Sequence, residues 1–125
     1  MVKIGAKEDF FVDVSNFFKK IWPRKLLRRT PVDASKNQWT VLVVDDDLTF
    51  TKLVKSHFLK QGINVVSAET GEYGLEMAKR YKPDLIILDV ILPGMKGREV
   101  CAKLKEDIAT ENIPVMFVTF KNSLD

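Results

Sequence analysis

Four short apolar runs, separated by segments with helical periodicity, constrain the fold of this chain more than any other feature. We place these runs at residues 39–45, 63–68, 84–90 and 113–120. Strands that are apolar throughout are typical of a parallel sheet that helices cover on both faces. The order β-α-β-α-β-α-β therefore predicts a doubly wound α/β fold with right-handed crossovers.

The three segments between the apolar runs carry apolar residues at the spacing of an amphipathic helix. Gly62 is a stop signal for the first of these helices, and Thr70 opens the second. The residues that we expect on the inward helix faces are Phe50, Leu53, Val54, Phe58, Leu75, Ala78, Val100, Leu104 and Ile108.

Three of the predicted strands end on groups that can do chemistry. The first ends on Asp45 and Asp46, the third on Asp89 and the fourth on Thr119. Because the carboxyl ends of parallel strands lie along one edge of a sheet, these groups should converge. Neighbouring carboxylates repel one another unless a cation neutralises them, and Mg²⁺ prefers hard oxygen ligands. We therefore expect a magnesium site, with Asp47 outside it as a helix N-cap.

Three motifs resemble the receiver domain of two-component response regulators. They are VLVVDDD, PDLIILDVILPGMKG and IPVMFVT, which occur in this order over about residues 40–120. The resemblance implies a flavodoxin-like receiver fold with the strand order 2-1-3-4, counted along the chain. It also implies a part in a phosphorelay, in which a histidine kinase or a phosphotransfer protein donates a phosphoryl group to the receiver.

The resemblance assigns a role to single residues. Asp89 matches the phosphoacceptor, which would attack a phosphohistidine and become an acyl phosphate. Thr119 matches the switch hydroxyl that turns toward the phosphoryl group. Pro93 and Gly97 match the turn that shapes the loop after the phosphoacceptor.

The same resemblance implies a set of metal ligands. Asp45 and Asp46 match the acidic pair that holds Mg²⁺. Asp89 and the backbone carbonyl of Ile91 would complete the protein ligands. The implied protein is a signalling domain rather than an enzyme, because it catalyses only its own phosphorylation at the Mg²⁺ site.

The chain departs from the family pattern in two respects. It ends at Asp125, so we expect a receiver that is truncated after its fourth strand, with the fifth strand and the lysine that follows it absent. The residue after the switch hydroxyl is usually small, whereas this chain has Phe120. Both departures affect the output of a signal more than the metal site.

Two other functions stay open. The first is a receiver-like scaffold that binds proteins without switching. The second is a phosphatase of the haloacid dehalogenase type, for which VVDDDLT would provide Asp45 as the nucleophile and Asp47 as the acid. That interpretation gives Asp89 no role.

The first 37 residues differ in character from the rest. Residues 1–37 carry nine Lys/Arg and four Asp/Glu, hence +5, whereas residues 38–125 carry eleven and thirteen, hence −2. An apolar stripe predicts an amphipathic helix from about residue 7 to residue 22, followed by a basic linker to residue 37. The stripe consists of Phe10, Val14, Phe17, Phe18 and Ile21.

The N-terminal segment allows several contacts. Its helix could cover the sheet face that the missing last helix would leave open, or it could serve another role in a longer protein. Its basic residues could touch an anionic membrane through residues 7–29. No DNA-reading motif is visible, so nucleic acid is not an expected partner. An exposed fourth strand would permit self-association.

The composition excludes several classes of site. Cys101 is the only cysteine, which rules out an internal disulfide and suits a reducing cytoplasm. With His57 as the only histidine, we expect no structural zinc site. No apolar run reaches the roughly 20 residues that span a bilayer. We therefore expect a cytoplasmic protein.

Overall fold

The computed structural model describes residues 3–4 and 39–118 of the chain. These residues include five parallel strands and three helices. The strands are β1 (Lys3–Ile4), β2 (Thr40–Val44), β3 (Asn64–Ala68), β4 (Leu85–Asp89) and β5 (Val115–Val118). The helices are α1 (Leu48–Leu59), α2 (Gly71–Tyr81) and α3 (Gly97–Glu106).

The strands form one sheet in the order β1-β5-β4-β2-β3. The four predicted strands therefore take the predicted order 2-1-3-4, and every pairing in the sheet is parallel. The direction in which the chain adds strands reverses at β2 and β4. Because β2 and β4 are parallel neighbours, their carboxyl ends lie side by side. Their register runs from Val41↔Leu85 to Val44↔Leu88.

The two faces of the sheet are covered by different helices, because successive residues of a strand point to opposite faces. On one face, α1 contributes Phe50, Val54 and Phe58 to a buried cluster. On the other face, α2 and α3 contribute a second cluster that includes Ala78 and Leu104. The sheet is therefore the buried middle layer of a doubly wound α/β fold.

The strand β1 was not predicted from the sequence. Lys3 pairs with Phe117 and Ile4 pairs with Val118, so the outer edge of β5 is occupied there. The sheet consequently has a fifth strand beside the fourth predicted one, although that strand comes from the start of the chain. The predicted helix over residues 7–22 and its basic linker lie outside the described residues.

Two residues expected on inward helix faces are exposed, and these expectations were wrong. Leu53 is 54% exposed on α1, and Ile108 is 87% exposed beyond the end of α3. The helix α3 ends at Glu106, so Ile108 no longer shares a helical face with Val100. The remaining residues of the predicted set are buried or partly buried.

The amino-terminal ends of β2 and β4 are tied by a buried carboxylate. The side chain of Asp84 accepts a hydrogen bond from the backbone N–H of Thr40 at 2.9 Å. In return, the Asp84 N–H donates to the Thr40 carbonyl at 2.7 Å. This pair fixes the register of β2 against β4, and that register positions the opposite ends of both strands.

Candidate functional site

Three carboxylates meet at the carboxyl edge of the sheet. Asp45 and Asp46 follow β2, and Asp89 is the last residue of β4. One oxygen from each side chain lies within 4.8 Å of the other two. The structure therefore brings together the three carboxylates that the sequence placed at one edge, because β2 and β4 are neighbours in the sheet.

Asp45 is held rigidly by the turn that it begins. Its carboxylate Oδ1 accepts a hydrogen bond from the Asp47 N–H at 2.8 Å, and Oδ2 is buried. The Asp45 N–H donates to the carbonyl of Ala68 at 3.0 Å, which extends the pairing of β2 with β3 by one residue. The Asp47 N–H thus orients the side chain, and the bond to Ala68 fixes the backbone that carries it.

The second and third aspartates of the run have different surroundings. Asp46 is exposed and contributes to the three-carboxylate cluster. Asp47 is the N-cap of α1, where its side chain accepts from the Phe50 N–H at 3.1 Å. The prediction that Asp47 caps the helix is confirmed. The strand can end in three acids because Asp46 is exposed and Asp47 caps α1.

Asp89 is buried at the end of β4, with 8% of its surface exposed. Its carboxylate Oδ1 accepts a hydrogen bond from the Ile91 N–H at 3.1 Å. The next N–H, that of Val90, donates to the carbonyl of Val118 in β5 at 3.3 Å. The orientation of the Asp89 side chain therefore depends on the backbone of the residues that follow it.

The loop after Asp89 returns very close to the strand at Gly97. The Gly97 N–H donates to the Val90 carbonyl at 3.0 Å. A Cβ at Gly97 would lie 2.2 Å from the carbonyl oxygen of Asp89 and 2.9 Å from the Cα of Val90. Only glycine permits this approach, so Gly97 shapes the loop, as the sequence analysis predicted from the family turn.

The same loop packs on the start of α2 through a residue that the sequence analysis missed. A Cβ at Gly71 would lie 2.6 Å from Cγ2 of Val100 and 3.1 Å from Cβ of Met95. The sign of this role in the sequence is the glycine directly after the N-cap Thr70. Most other residues would be accepted at that helix position, so a glycine there indicates a close contact. Gly71 thus allows α2 to support both the loop and α3.

The remaining predicted site residues have different outcomes. Thr119 and Phe120 lie outside the described residues, so the switch hydroxyl stays a prediction. The backbone N–H of Ile91 contacts Asp89, and the role of its carbonyl as a metal ligand also stays a prediction.

The donor set suits a hard divalent cation. Three carboxylates supply oxygen ligands, and one of them, Asp46, is exposed, so the cluster is open to solvent and to a substrate. Mg²⁺ is typically bound by one or two carboxylates and completes its shell with water and phosphate oxygens. The same arrangement provides a carboxylate that can act as a nucleophile beside that cation.

Helices long and apolar enough to cross a bilayer are absent from the described parts of the chain.

Comparison with known proteins identifies similar chains. A family described as "Response regulator receiver domain" matches residues 41–125. The histidine kinase P4 of Formosa agariphila is 43% identical over 89 residues, which are 71% of this chain and 6% of that protein. The response regulator PleD of Caulobacter vibrioides is 43% identical over 79 residues, which are 63% of this chain and 17% of that protein. This chain therefore spans only a small part of these two relatives.

A solved structure is also similar. The N-terminal domain of a response regulator receiver protein from Methanoculleus marisnigri superimposes with a TM-score of 0.61 at 34% sequence identity. The superposition covers 63% of this chain and 64% of that domain. The likeness in sequence and the likeness in fold thus agree.

Proposed function

This chain belongs to the response regulator receiver family, and we propose that Asp89 is the residue that accepts the phosphoryl group, at a site where Asp45 and Asp46 hold Mg²⁺. The chain is a receiver domain of the kind that takes part in two-component phosphorelays. The observation that carries the assignment of residues is the meeting of three carboxylates within 4.8 Å at one edge of the sheet.

The proposed reaction is a phosphoryl transfer from a phosphohistidine of a histidine kinase or a phosphotransfer protein. A carboxylate oxygen of Asp89 attacks the phosphorus, and the bond from phosphorus to the imidazole nitrogen breaks. The Asp89 side chain becomes an acyl phosphate, and the released imidazole takes up a proton. The hydrogen bond from the Ile91 N–H to Oδ1 fixes the plane of the carboxylate before the attack.

The residues around Asp89 prepare the site for this reaction. Phosphoryl transfer depends mostly on positioning and charge neutralisation. When bound, Mg²⁺ offsets the repulsion between the carboxylates and the incoming phosphoryl oxygens. Asp45, oriented by the Asp47 N–H, and the exposed Asp46 are the proposed side-chain ligands, with the Ile91 carbonyl as a further ligand.

The downstream part of the proposal concerns the response to phosphorylation. Thr119 would turn its hydroxyl toward the phosphoryl group, since it comes directly after Val118, the last residue of β5, in the sequence. The pairing of Asp89 with Val118 places the end of β5 next to the proposed phosphoacceptor.

If Asp45 is a metal ligand and Asp47 is not, Asp45→Asn and Asp47→Asn should differ in how much Mg²⁺ stabilises the fold, although each removes one negative charge. Mg²⁺ at ten times its dissociation constant is expected to raise the free energy of unfolding of the native chain by about 1.4 kcal/mol. Asp45→Asn should abolish most of this gain, because it removes a ligand while Oδ1 can still accept from the Asp47 N–H. Asp47→Asn should keep the gain, because Asp47 caps α1 and is outside the cluster.

Urea unfolding with and without MgCl₂, at constant ionic strength, measures both variants. If Mg²⁺ stabilises the Asp45→Asn chain as much as the native chain, Asp45 is not a metal ligand. Equal losses in both variants would point to a general effect of charge instead.

The phosphoacceptor itself is tested by chemical phosphorylation of the native chain. Incubation with acetyl phosphate and Mg²⁺ should give one phosphoryl adduct that hydroxylamine and base remove, and mass spectrometry of peptides should place it on Asp89. An adduct on Asp45 would instead support the phosphatase of the haloacid dehalogenase type. If no adduct forms while Mg²⁺ still stabilises the chain, a binding scaffold that does not switch becomes the better interpretation.

A further inference from the structure

The strand β3 forms one edge of the sheet and is more exposed than the strands inside it. In the order β1-β5-β4-β2-β3, its neighbour among the described residues is β2, on one side. Every residue of β2, β4 and β5 is buried, whereas residues 64–67 of β3 are partly exposed. At the other end of the sheet, β1 pairs with β5. The open edge of β3 is therefore a place where the sheet can be extended.

The hydrogen bonds at the two ends of β3 show which of its backbone groups pair with β2. The Asn64 N–H donates to the Trp39 carbonyl at 2.7 Å, and the Asp45 N–H donates to the Ala68 carbonyl at 3.0 Å. Trp39 and Asp45 directly precede and follow β2, so both bonds point toward that strand. The backbone groups of Asn64 and Ala68 thus lie on the β2 side.

The residues between them direct their backbone groups to the open edge in alternation. In a strand, the N–H and C=O of one residue point to the same side, and those of the next residue point to the other side. Counting from Asn64, both Val65 and Ser67 therefore present one N–H and one C=O away from β2. These are strong hydrogen-bonding groups, and a further strand would pair with all four of them.

The strand β3 lacks the features that usually protect a sheet edge. Protected edge strands are very short, carry charged side chains or proline, or are interrupted by a bulge. The sequence of β3 is NVVSA, without charge or proline, and its register against β2 is continuous from Asn64 to Ala68. Such an edge suits pairing with another uncharged strand.

A second copy of β3 fits this edge when the two strands run antiparallel about a two-fold axis at Val66. In that register, Val65 of each chain lies opposite Ser67 of the other. Directly opposed residues of this kind exchange two N–H···O=C bonds, so all four outward groups of each chain are used. The two Val66 side chains then face each other across the axis and pack together.

The charges beside β3 favour an antiparallel partner with the same sequence. Lys60 lies shortly before β3 and Glu69 directly after it, and both are exposed. Antiparallel pairing brings the beginning of one strand beside the end of the other, so Lys60 of one chain approaches Glu69 of the second at both ends. A parallel pair of copies would bring like charges together instead.

We infer that β3 is a dimerisation edge, at which two copies of this chain join their sheets into one continuous antiparallel junction. The contact of a single strand edge is small, so the dimer is weak and forms at high chain concentration. Because the two sheets run in opposite directions, the acidic sites of the two copies lie on opposite edges. The inference does not depend on the role proposed for Asp89.

The dimer is tested by sedimentation velocity of the full chain up to about 1 mM, where a reversible equilibrium between monomer and dimer is expected. Ser67→Pro removes an outward N–H and keeps the bonds to β2, so it should weaken dimerisation by about tenfold or more. Ser67→Ala keeps that N–H and should change dimerisation by less than about twofold. A native chain that stays monomeric, or that forms species larger than a dimer, would overturn the inference, as would equal dimerisation of the two variants.

A pair of cysteine variants tests the register without a change to the backbone. Both are made with Cys101→Ala, because Cys101 is the only native cysteine. The two copies of residue 66 should have Cα atoms about 4.5 Å apart, within reach of a disulfide, so air oxidation should link Val66→Cys chains into covalent dimers. The two copies of residue 65 are offset along the strands by more than the roughly 7 Å that a disulfide spans, so Val65→Cys should link at least about tenfold more slowly. Equal rates, or a faster Val65→Cys, would contradict the two-fold pairing at Val66.

Discussion

An Asp89→Asn chain is expected to take up no phosphoryl group from acetyl phosphate under conditions that label the native chain. The substitution removes the charged nucleophile but keeps the shape of the side chain. The amide oxygen of asparagine can still accept from the Ile91 N–H, so the fold should be retained. The free energy of unfolding without Mg²⁺ should be unchanged or higher, because one of three neighbouring like charges is lost.

Asp84→Asn is the matched control for this experiment. Asp84 is as buried as Asp89, with 8% of its surface exposed, and it lies directly before β4 while Asp89 ends that strand. Asp84→Asn keeps a side-chain oxygen that can accept from the Thr40 N–H, so the register of β2 against β4 should be retained and labelling should stay intact. Radiolabel or intact-mass measurement compares the two variants. Labelling of Asp89→Asn at the native rate would show that another residue accepts the phosphoryl group.

The elements that could be predicted from the sequence are those whose pattern of apolar residues extends over the whole strand or helix. The strands β2, β4 and β5 are apolar on both faces, because helices cover both sides of a parallel sheet. Such runs identify a strand and its class of sheet together. The position of Asp45 and Asp89 followed from the same reasoning, since the carboxyl ends of parallel strands share one edge.

The errors arose where a local interaction decided the outcome. The helix α3 ends at Glu106, because the Asp107 side chain accepts from the Ala109 N–H at 2.9 Å and forms a turn. That hydrogen bond, and the Lys79 ammonium 3.3 Å away, hold the pKa of Asp107 below its usual value. The apolar Ile108 continues the helical spacing in the sequence, although the backbone has already left the helix.

The strand β1 could not be predicted for a different reason. Two residues are too few to show any periodicity, and their strand exists only because β5 offers an edge. Gly71 was missed on similar grounds, since its role depends on Met95 and Val100, which are distant in the sequence. Close approaches between separate elements leave no local pattern.

The second large effect is expected from Gly97→Ala, which should lower the free energy of unfolding by about 3 kcal/mol or more. The new Cβ would lie 2.2 Å from the Asp89 carbonyl oxygen and 2.9 Å from the Cα of Val90. Both are backbone atoms, so neither can turn away as a side chain would. Elsewhere at a helix start, the change from glycine to alanine would stabilise the chain slightly.

Relief of this contact must move either the start of α3 or the end of β4. Moving the end of β4 displaces Asp89, so Gly97→Ala should also slow labelling by acetyl phosphate at temperatures where the variant is folded. The loss of stability and the loss of labelling then have one cause, the distance between the Gly97 backbone and the proposed phosphoacceptor.

Gly62→Ala separates this steric effect from backbone strain. Gly62 has a φ of +74°, and a Cβ there would meet nothing within 4 Å. Its substitution should therefore cost only the about 1–2 kcal/mol of a left-handed residue and leave labelling at the native rate. Urea unfolding and acetyl phosphate labelling of both variants decide the matter. A Gly97→Ala chain with native stability and native labelling would show that the loop after β4 tolerates a side chain, and that Gly97 does not set the position of Asp89.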